Sequence, residues 1–192
     1  MASVPTPGRT PPARRSLSLM SQLPIEKRFA ILCEITRAQH FAWRAAVQQM
    51  CPDLDTEAVV RRMWEIVGRQ TGSSYAKHVD PDEPLAPQIA ASVAWSSQCM
   101  GEAAEVEDGA DDHEAFVRHT ACPWLDWHKR LGLEDEDQAG CDLWFERSVQ
   151  KVNEALGTKL HFETIESLPE GGSSCLRRFW VENGRPSSDG SQ

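Results

Sequence analysis

The sequence predicts an α+β fold: N-terminal helices packed on a roughly four-stranded antiparallel sheet built from two hairpins with helices between them. Three observations support this prediction. Long segments with apolar residues at three- and four-residue steps predict helices. Shorter segments with alternating apolar and polar residues around glycine-containing turns predict the hairpins. Three helices precede the first hairpin, and two helices separate it from the second, an order typical of an α+β domain.

The first helix is predicted between Pro24 and Cys51. A proline is tolerated in the first turn of a helix. The residue before a proline disfavours the helical conformation, so Cys51, which precedes Pro52, marks the end. The residues that recur at three- and four-residue steps, and that form the predicted inward face of this amphipathic helix, are Phe29, Leu32, Thr36, His40, Trp43 and Val47.

The second helix is predicted over residues 53–77, with Asp53 or Asp55 as its N-cap. Gly68 and Gly72 stand one turn apart near its end. Two alternatives fit this pair equally well. Either the smooth face admits a neighbouring helix or a ligand, or the helix frays there.

The remaining elements follow from turn residues and changes of period. Pro123 is expected to open a short helix, because proline suits a first turn, and Gly132 to end it. A later long helix stops at Gly157. In the last strand we expect Leu176 and either Phe179 or Trp180 to be buried. The other ranges are a helix at about 87–100, a hairpin over 103–117, a long helix at 137–156, and strands at 160–165 and 175–182.

Composition bounds the class of protein. The 192 residues are 40% hydrophobic and carry a net charge of −9, which fits one globular domain over residues 21–183. Residues 1–20 and 184–192 are expected to be a disordered arm and tail, because they offer almost nothing to bury. No basic patch indicates a nucleic-acid partner, and no apolar run is long enough for a membrane span. A homo-oligomer is an open expectation.

The six cysteines occur without a CxxC pair or a secretory signal. Free thiols in a reducing cytoplasm are therefore the expectation. Cys122, Cys141 and Cys175 come from adjacent predicted elements and can converge, although single buried cysteines often only fill space. His119 precedes Cys122 by three residues, a spacing that could activate a thiolate or hold one edge of a metal site. Standard hydrolase and nucleotide-binding motifs are absent from the sequence.

The second half of the chain resembles the L-2-amino-thiazoline-4-carboxylic acid hydrolase family. The segments that carry the resemblance are TACPWLDWHKRLGLEDEDQAGC and FERSVQKVNEALGTKLHFETIESLPEGGSSCLRRFW. Together they cover the greater part of residues 100–181. The shared features are Cys122-Pro123-Trp124, Cys141, Asn153, Gly171-Gly172 and Cys175.

The resemblance implies ring-opening hydrolysis of a small polar, thiazoline-carboxylate-type substrate, with no required cofactor. Such a reaction needs a base or thiolate, a proton donor and a cation for the carboxylate. Cys122 or Cys141 would be the nucleophile and His119 the base. The substrate-binding candidates are Trp124, Arg177, Arg118, Cys175 and His40, with Arg178 a further candidate cation.

The layout is also similar to the 4-vinyl reductase domain, a ligand-binding module. That resemblance implies a non-catalytic small-molecule sensor in which Cys141, Cys175 and Cys122 could hold zinc. Glu166 and Glu170 are further ligand candidates by proximity alone. A third interpretation is an interaction protein that uses its N-terminal arm.

Overall fold

The chain folds as five helices and a four-stranded antiparallel sheet, so the α+β class is confirmed. The computed structural model describes residues 23–182; the predicted arm and tail lie outside the described residues. The elements are α1 Ile25–Met50, α2 Thr56–Ala76, α3 Leu85–Cys99, β1 Ala103–Asp108, β2 Glu114–Ala121, α4 Pro123–Leu131, α5 Glu134–Leu156, β3 Leu160–Glu166 and β4 Cys175–Val181.

The sheet has the order β1-β2-β4-β3, so the two predicted hairpins lie side by side. They join through the antiparallel pairing of β2 with β4, in which His119 is opposite Cys175 and Val117 is opposite Arg177. Directly opposite residues of an antiparallel pair share one face of the sheet. These four side chains therefore point to the same side, towards the helices.

Helices α3 and α5 cover that face, and α2 packs outside them along α5. Of the three N-terminal helices, α3 is thus the one that lies mainly on the sheet. The centre of the core contains the fully buried side chains of Ile89, Val93, Val117, Val152, Leu160 and Phe179.

Gly68 and Gly72 lie at the contact between α2 and α5. A Cβ atom on Gly72 would lie 2.2 Å from the carbonyl oxygen of Ser148, and one on Gly68 would lie 2.7 Å from that of Trp144. The Ser148 hydroxyl donates to the Gly68 carbonyl at 3.0 Å. Of the two alternatives, the glycine pair therefore serves close helix approach rather than fraying.

The ends of the helices follow the predicted signals with small shifts. Asp55 caps α2, where its carboxylate accepts from the Ala58 N–H at 3.0 Å. Gly132 and Gly157 end α4 and α5 with φ of 68° and 69°. Helix α5 begins at Glu134, earlier than predicted, because the acidic run forms its first turn. Carboxylates there interact favourably with the positive end of the helix dipole.

Asn153 connects α5 to β3. Its side-chain amide donates to the Leu160 carbonyl and accepts from the Leu160 N–H, both at 2.8 Å. The Thr158 hydroxyl also donates to it, at 2.9 Å. This family feature therefore has a structural role at the α5–β3 corner.

Two predictions about which side chains point into the core were wrong. Helix α1 forms as expected, but Phe29, Leu32 and Trp43 of its predicted core stripe are exposed. In β4 the buried residues are Cys175, Arg177 and Phe179, whereas Leu176 was expected inside. A strand alternates its two faces, so the shift by one residue places Arg177 in the interior.

Membrane-spanning helices need both length and a continuous apolar surface. Within residues 23–182, no helix combines the length and apolarity that a membrane span requires.

Candidate functional site

A buried polar cluster lies where α3 and the turn after it meet β2. His119 is 5% exposed. Its Nε2 lies 2.9 Å from the Ser97 hydroxyl and 3.5 Å from a Glu102 carboxylate oxygen. Its Nδ1 is buried without a hydrogen-bond partner in the described chain. Since buried polar atoms are nearly always paired, this nitrogen is a candidate contact for a ligand.

Glu102 is the carboxylate of this cluster, and its side chain is largely covered. The Trp124 indole N–H donates to Glu102 at 3.1 Å. Burial raises the pKa of Glu102 to about 7, although hydrogen bonds from Trp124 and Ser97 and the charge of Arg177 act to lower it. A carboxyl group with this pKa exchanges protons readily at neutral pH.

His119 has the opposite shift. Burial, with a smaller effect of the Arg177 charge, lowers the pKa of His119 to about 4. The imidazole is therefore neutral at pH 7 and can donate or accept a hydrogen bond. Glu102 and His119 together form a proton-transfer pair with different pKa values, which is typical of acid–base sites.

Arg177 supplies a buried positive charge beside this pair. It is 2% exposed, donates to the Cys141 sulfur at 3.3 Å, and stacks over the Phe145 ring at 4.7 Å. Its Nε has no hydrogen-bond partner. No carboxylate within residues 23–182 forms a direct salt bridge with it, although the charges of Asp142 and Glu102 interact with it from further away. A buried cation without a direct salt bridge is costly, so an anionic ligand would be stabilised here.

The three predicted cysteines lie in one region of the interior. Cys141 and Cys175 hydrogen-bond with Arg177, and Cys122 lies close enough to Glu102 and Cys141 to interact with them electrostatically. The Cys175 sulfur accepts from the Leu168 N–H at 3.3 Å. Burial raises the pKa of Cys141 to about 12, despite the opposing charge of Arg177, and burial also raises the pKa of Cys122. Both groups are protonated thiols at neutral pH. This protonation disfavours the predicted nucleophilic thiolate, whose role stays a prediction.

The cysteines fit zinc poorly. Within residues 23–182, no group of three or more His, Cys, Asp or Glu side chains is placed to hold a metal ion. The Arg177 guanidinium also occupies the space beside Cys141, where a metal would need a thiolate. Glu166, the proximity candidate, accepts from Ser173 and Ser174 in the β3–β4 turn instead.

Two predicted substrate-binding residues lie outside the cluster. Arg118 points to the opposite face of the sheet, where it pairs with Glu107. His40 lies on α1, with its ring 5.5 Å from that of Trp124. Burial, followed by the charge of His128, lowers the pKa of His40 to about 4. His40 thus belongs to an aromatic cluster on the far side of Trp124.

Sequence reasoning missed four residues of the interior. Ser97 and Glu102 carry no motif, and Glu102 lies in a predicted turn. His128 was not among the predicted site residues, but it is buried, with 5% of its surface exposed. Its Nδ1 lies 2.6 Å from an Asp137 oxygen. The sequence did contain one signal for the burial of His128. This residue lies four residues after Trp124 on the same short helix, and residues four apart share one face of a helix.

Two open grooves of the described surface lie away from the cluster. One, of about 470 Å³, runs between α1 and α4 and is lined by Phe41, Arg44 and Trp127. Another, of about 500 Å³, lies between α5 and β3 beside Asn153 and His161. The cluster around Glu102 and Arg177 instead lies in the interior, and the Trp124 indole at the start of α4 donates to Glu102.

Comparisons with known proteins give a family and a fold. The family model described as L-2-amino-thiazoline-4-carboxylic acid hydrolase matches residues 32–179. No curated protein matches the chain. Among solved structures, a trafficking protein particle complex subunit 3 from Naegleria fowleri, described as covalently bound to palmitic acid, shares the fold. It is 14% identical with a TM-score of 0.52, and the match covers 80% of this chain and 97% of that one.

Proposed function

Because the chain belongs to the L-2-amino-thiazoline-4-carboxylic acid hydrolase family, we propose that it hydrolyses a small cyclic substrate carrying a carboxylate. The substrate class is a five-membered thiazoline or a similar ring with a C=N bond. The site is the cluster of Glu102, His119 and Arg177, beside Cys141. The observation that carries this proposal is the buried Arg177, which forms no direct salt bridge within residues 23–182 and whose Nε has no hydrogen-bond partner.

The proposed reaction adds water to the ring and breaks one bond. The water oxygen bonds to the carbon of the C=N group, and the C–S bond of the same carbon then breaks. One proton of the water goes to the ring nitrogen and the other to the leaving sulfur. The product is an N-carbamoyl cysteine, with no oxidant or reductant consumed.

Each residue of the cluster has a role in this reaction. Glu102, with a pKa of about 7, removes a proton from water and returns it to the ring nitrogen or the sulfur. Neutral His119 donates or accepts a hydrogen bond at the same centre. Arg177 pairs with the substrate carboxylate, and its guanidinium can bind both oxygens.

The test is turnover of 2-aminothiazoline-4-carboxylate by the purified protein, measured as release of free thiol. We expect Glu102→Gln to lower kcat by about 100-fold, since general acid–base catalysis contributes on that order. Arg177→Lys should raise KM more than it lowers kcat. The matched control is Arg118→Lys, whose parent arginine is on the opposite face of the sheet and which should behave as wild type.

Two results would reject the proposal. The first is a lack of turnover with thiazoline carboxylates and related rings by the folded wild-type protein. The second is wild-type kcat in folded Glu102→Gln. If Cys141→Ala abolishes turnover while Glu102→Gln does not, the predicted thiol mechanism replaces acid–base catalysis by Glu102.

A second candidate is a non-catalytic small-molecule-binding module. Two observations favour it: the reactive groups are covered, and the thiols of Cys122 and Cys141 are protonated. The Naegleria fowleri structure of the same fold is described as covalently bound to palmitic acid, so a module of this fold can hold a ligand. Stoichiometric binding of thiazoline carboxylate without thiol release, measured by calorimetry, would support this candidate.

A bound zinc ion would be a component of that second candidate, the non-catalytic binding module. Metal analysis of the purified protein, with the Cys141→Ala/Cys175→Ala variant as comparison, tests it. Stoichiometric zinc that this variant loses would support a metal-containing module, despite the poor fit of the cysteines.

A further inference from the structure

Helix α1 carries a large share of the exposed apolar surface. Of the fourteen large hydrophobic side chains that are exposed in residues 23–182, seven belong to this helix. Trp43 is 74% exposed and Leu32 is 59% exposed. Single exposed apolar residues need no explanation, but a contiguous patch marks an interaction surface.

Many of these residues form one stripe along the whole helix. At 100° per residue, eight side chains fall within about 40° of a single line. Six of the eight are apolar, none is charged, and the two polar ones are Thr36 and Gln39. We call this set the α1 stripe: Ile25, Phe29, Leu32, Thr36, Gln39, Trp43, Val47 and Met50.

Six of the eight residues of the α1 stripe, all except Phe29 and Val47, have a spacing that is the same from either end. These six follow one another at steps of seven, four, three, four and seven residues. The two polar residues, Thr36 and Gln39, lie at the centre, and large apolar side chains lie towards both ends. An antiparallel copy of the same helix therefore presents the matching order, with the polar centre opposite the polar centre. The six are Ile25, Leu32, Thr36, Gln39, Trp43 and Met50.

We propose that α1 pairs antiparallel with α1 of a second copy of this chain, across a two-fold axis between Thr36 and Gln39. This register places Leu32 against Trp43 of the partner subunit, and the symmetry repeats the contact. Such a self-complementary patch is what a two-fold interface requires.

The polar centre of the α1 stripe fits the same register. The Thr36 hydroxyl donates to the Leu32 carbonyl at 3.0 Å, so its oxygen keeps lone pairs that can accept a further hydrogen bond. The amide of Gln39 supplies donors for this purpose. A polar pair inside an otherwise apolar helix interface specifies the register of the helices. The centre therefore favours one antiparallel alignment over shifted ones.

The available area supports a second copy as the occupant. The large side chains of the α1 stripe expose on the order of 700 Å² per protomer, counting aromatic residues at roughly 150–250 Å² when fully exposed. A standard interface buries about 800 Å² per partner. The large side chains therefore account for most of such an interface, and the symmetric spacing of the six residues favours the same chain as partner.

The test uses two charge variants and their mixture. Leu32→Lys and Trp43→Glu each place a charge against an apolar side chain in the homodimer, so each should weaken self-association by about 100-fold or more. In an equimolar mixture, the heterodimer pairs the new lysine with the new glutamate and keeps one unchanged Leu32–Trp43 contact. Sedimentation velocity of the full chain under reducing conditions measures all three samples.

The expected result is a wild-type dimer at micromolar concentration, two monomeric variants and a dimeric mixture. Trp95→Glu is the control, because Trp95 is 67% exposed on α3, outside the stripe, and it should remain dimeric. A monomeric wild type, or a dimer that both charge variants retain, overturns the proposal. So does a mixture that stays monomeric, which would exclude the antiparallel register. Binding of the monomer to lipid vesicles through Trp43 would assign the stripe to a membrane surface instead.

Discussion

Burial at single residues determines most of the chemistry of the candidate site. Glu102 and His119 lie within 3.5 Å of each other, yet burial moves their pKa values in opposite directions, to about 7 and about 4. Glu102 therefore stays neutral up to a higher pH than an ordinary glutamate, and His119 stays neutral down to a lower pH than an ordinary histidine. The stability of the protein therefore depends on pH through both residues, with opposite sign.

Glu102→Gln should reveal the contribution of this carboxyl group to stability. The folded-state pKa of about 7 lies above the ordinary value of 4.5. The folded protein thus binds the proton more tightly, and stability from Glu102 is present below pH 4.5 and is lost as pH rises to 7. Glutamine does not ionise. We expect Glu102→Gln to gain about 3 kcal/mol relative to wild type between pH 4 and pH 8.

Urea unfolding at both pH values measures this difference. His119 contributes in the opposite sense, because its lowered folded pKa removes stability as pH falls from 6.5 to 4. That contribution is present in both proteins and cancels in the comparison. An equal difference between the two proteins at pH 4 and pH 8 would contradict the burial of an ionisable Glu102.

The pair of His128 and Asp137 gives a second prediction at this scale. Both side chains are buried, and Nδ1 of His128 lies 2.6 Å from Asp137. Asp137→Asn replaces an acceptor with a group that must orient its amide correctly, so we expect a loss of about 1–3 kcal/mol in the free energy of unfolding. Asp135→Asn, at an exposed position in the same turn, is the control. Equal effects would indicate loss of the helix-dipole interaction alone.

At the scale of elements, local signals predicted where segments begin and end. Asp55, Pro123, Gly132 and Gly157 act at helix ends, where one residue decides the outcome. Which side chains of an element point into the core was harder to predict. In β4, apolar and charged residues occupy both phases, so the sequence did not reveal that Arg177 is the inward residue.

Helix α1 shows a different limit of sequence reasoning. Its apolar side chains surround the helix, so several stripes were compatible with the sequence. The face that packs inside the chain carries Cys33, Arg37 and Phe41. Apolar periodicity indicates that one face of a helix is buried. It does not distinguish burial in the core of the chain from burial at an interface between chains.

Gly72→Ala tests the contact between α2 and α5. The new Cβ would lie 2.2 Å from the Ser148 carbonyl oxygen, so the two helices would have to separate. Such overpacking costs about 1–3 kcal/mol, more than alanine gains over glycine in helix propensity. Ser74→Ala, two positions later and exposed, should change stability by less than about 0.5 kcal/mol. Thermal or urea unfolding compares them, and a stabilised Gly72→Ala would contradict the close packing.

At the scale of the whole molecule, the fold and the family are now known, but the candidate site draws on both halves of the chain. Cys122, Cys141 and Cys175 are in the segments that carry the family resemblance. Glu102 and Ser97 come from α3 and the turn after it. They reach His119 because β2 folds back beside α3. The proposed base, Glu102, was thus not predictable from motifs, since its contact with His119 is created only by the tertiary fold.

The predicted domain boundaries lead to the final prediction. The buried core described in residues 23–182 includes Ile89, Val117, Val152 and Phe179, and all seven tryptophans lie between positions 43 and 180. Residues 1–20 and 184–192 carry few groups that could add to this core. We therefore expect a chain of residues 21–183 to unfold cooperatively, within about 0.5 kcal/mol of the full chain. Urea unfolding followed by tryptophan fluorescence measures both proteins. A loss of more than about 1 kcal/mol would mean that the arm or the tail stabilises the domain, and removing each alone would identify which.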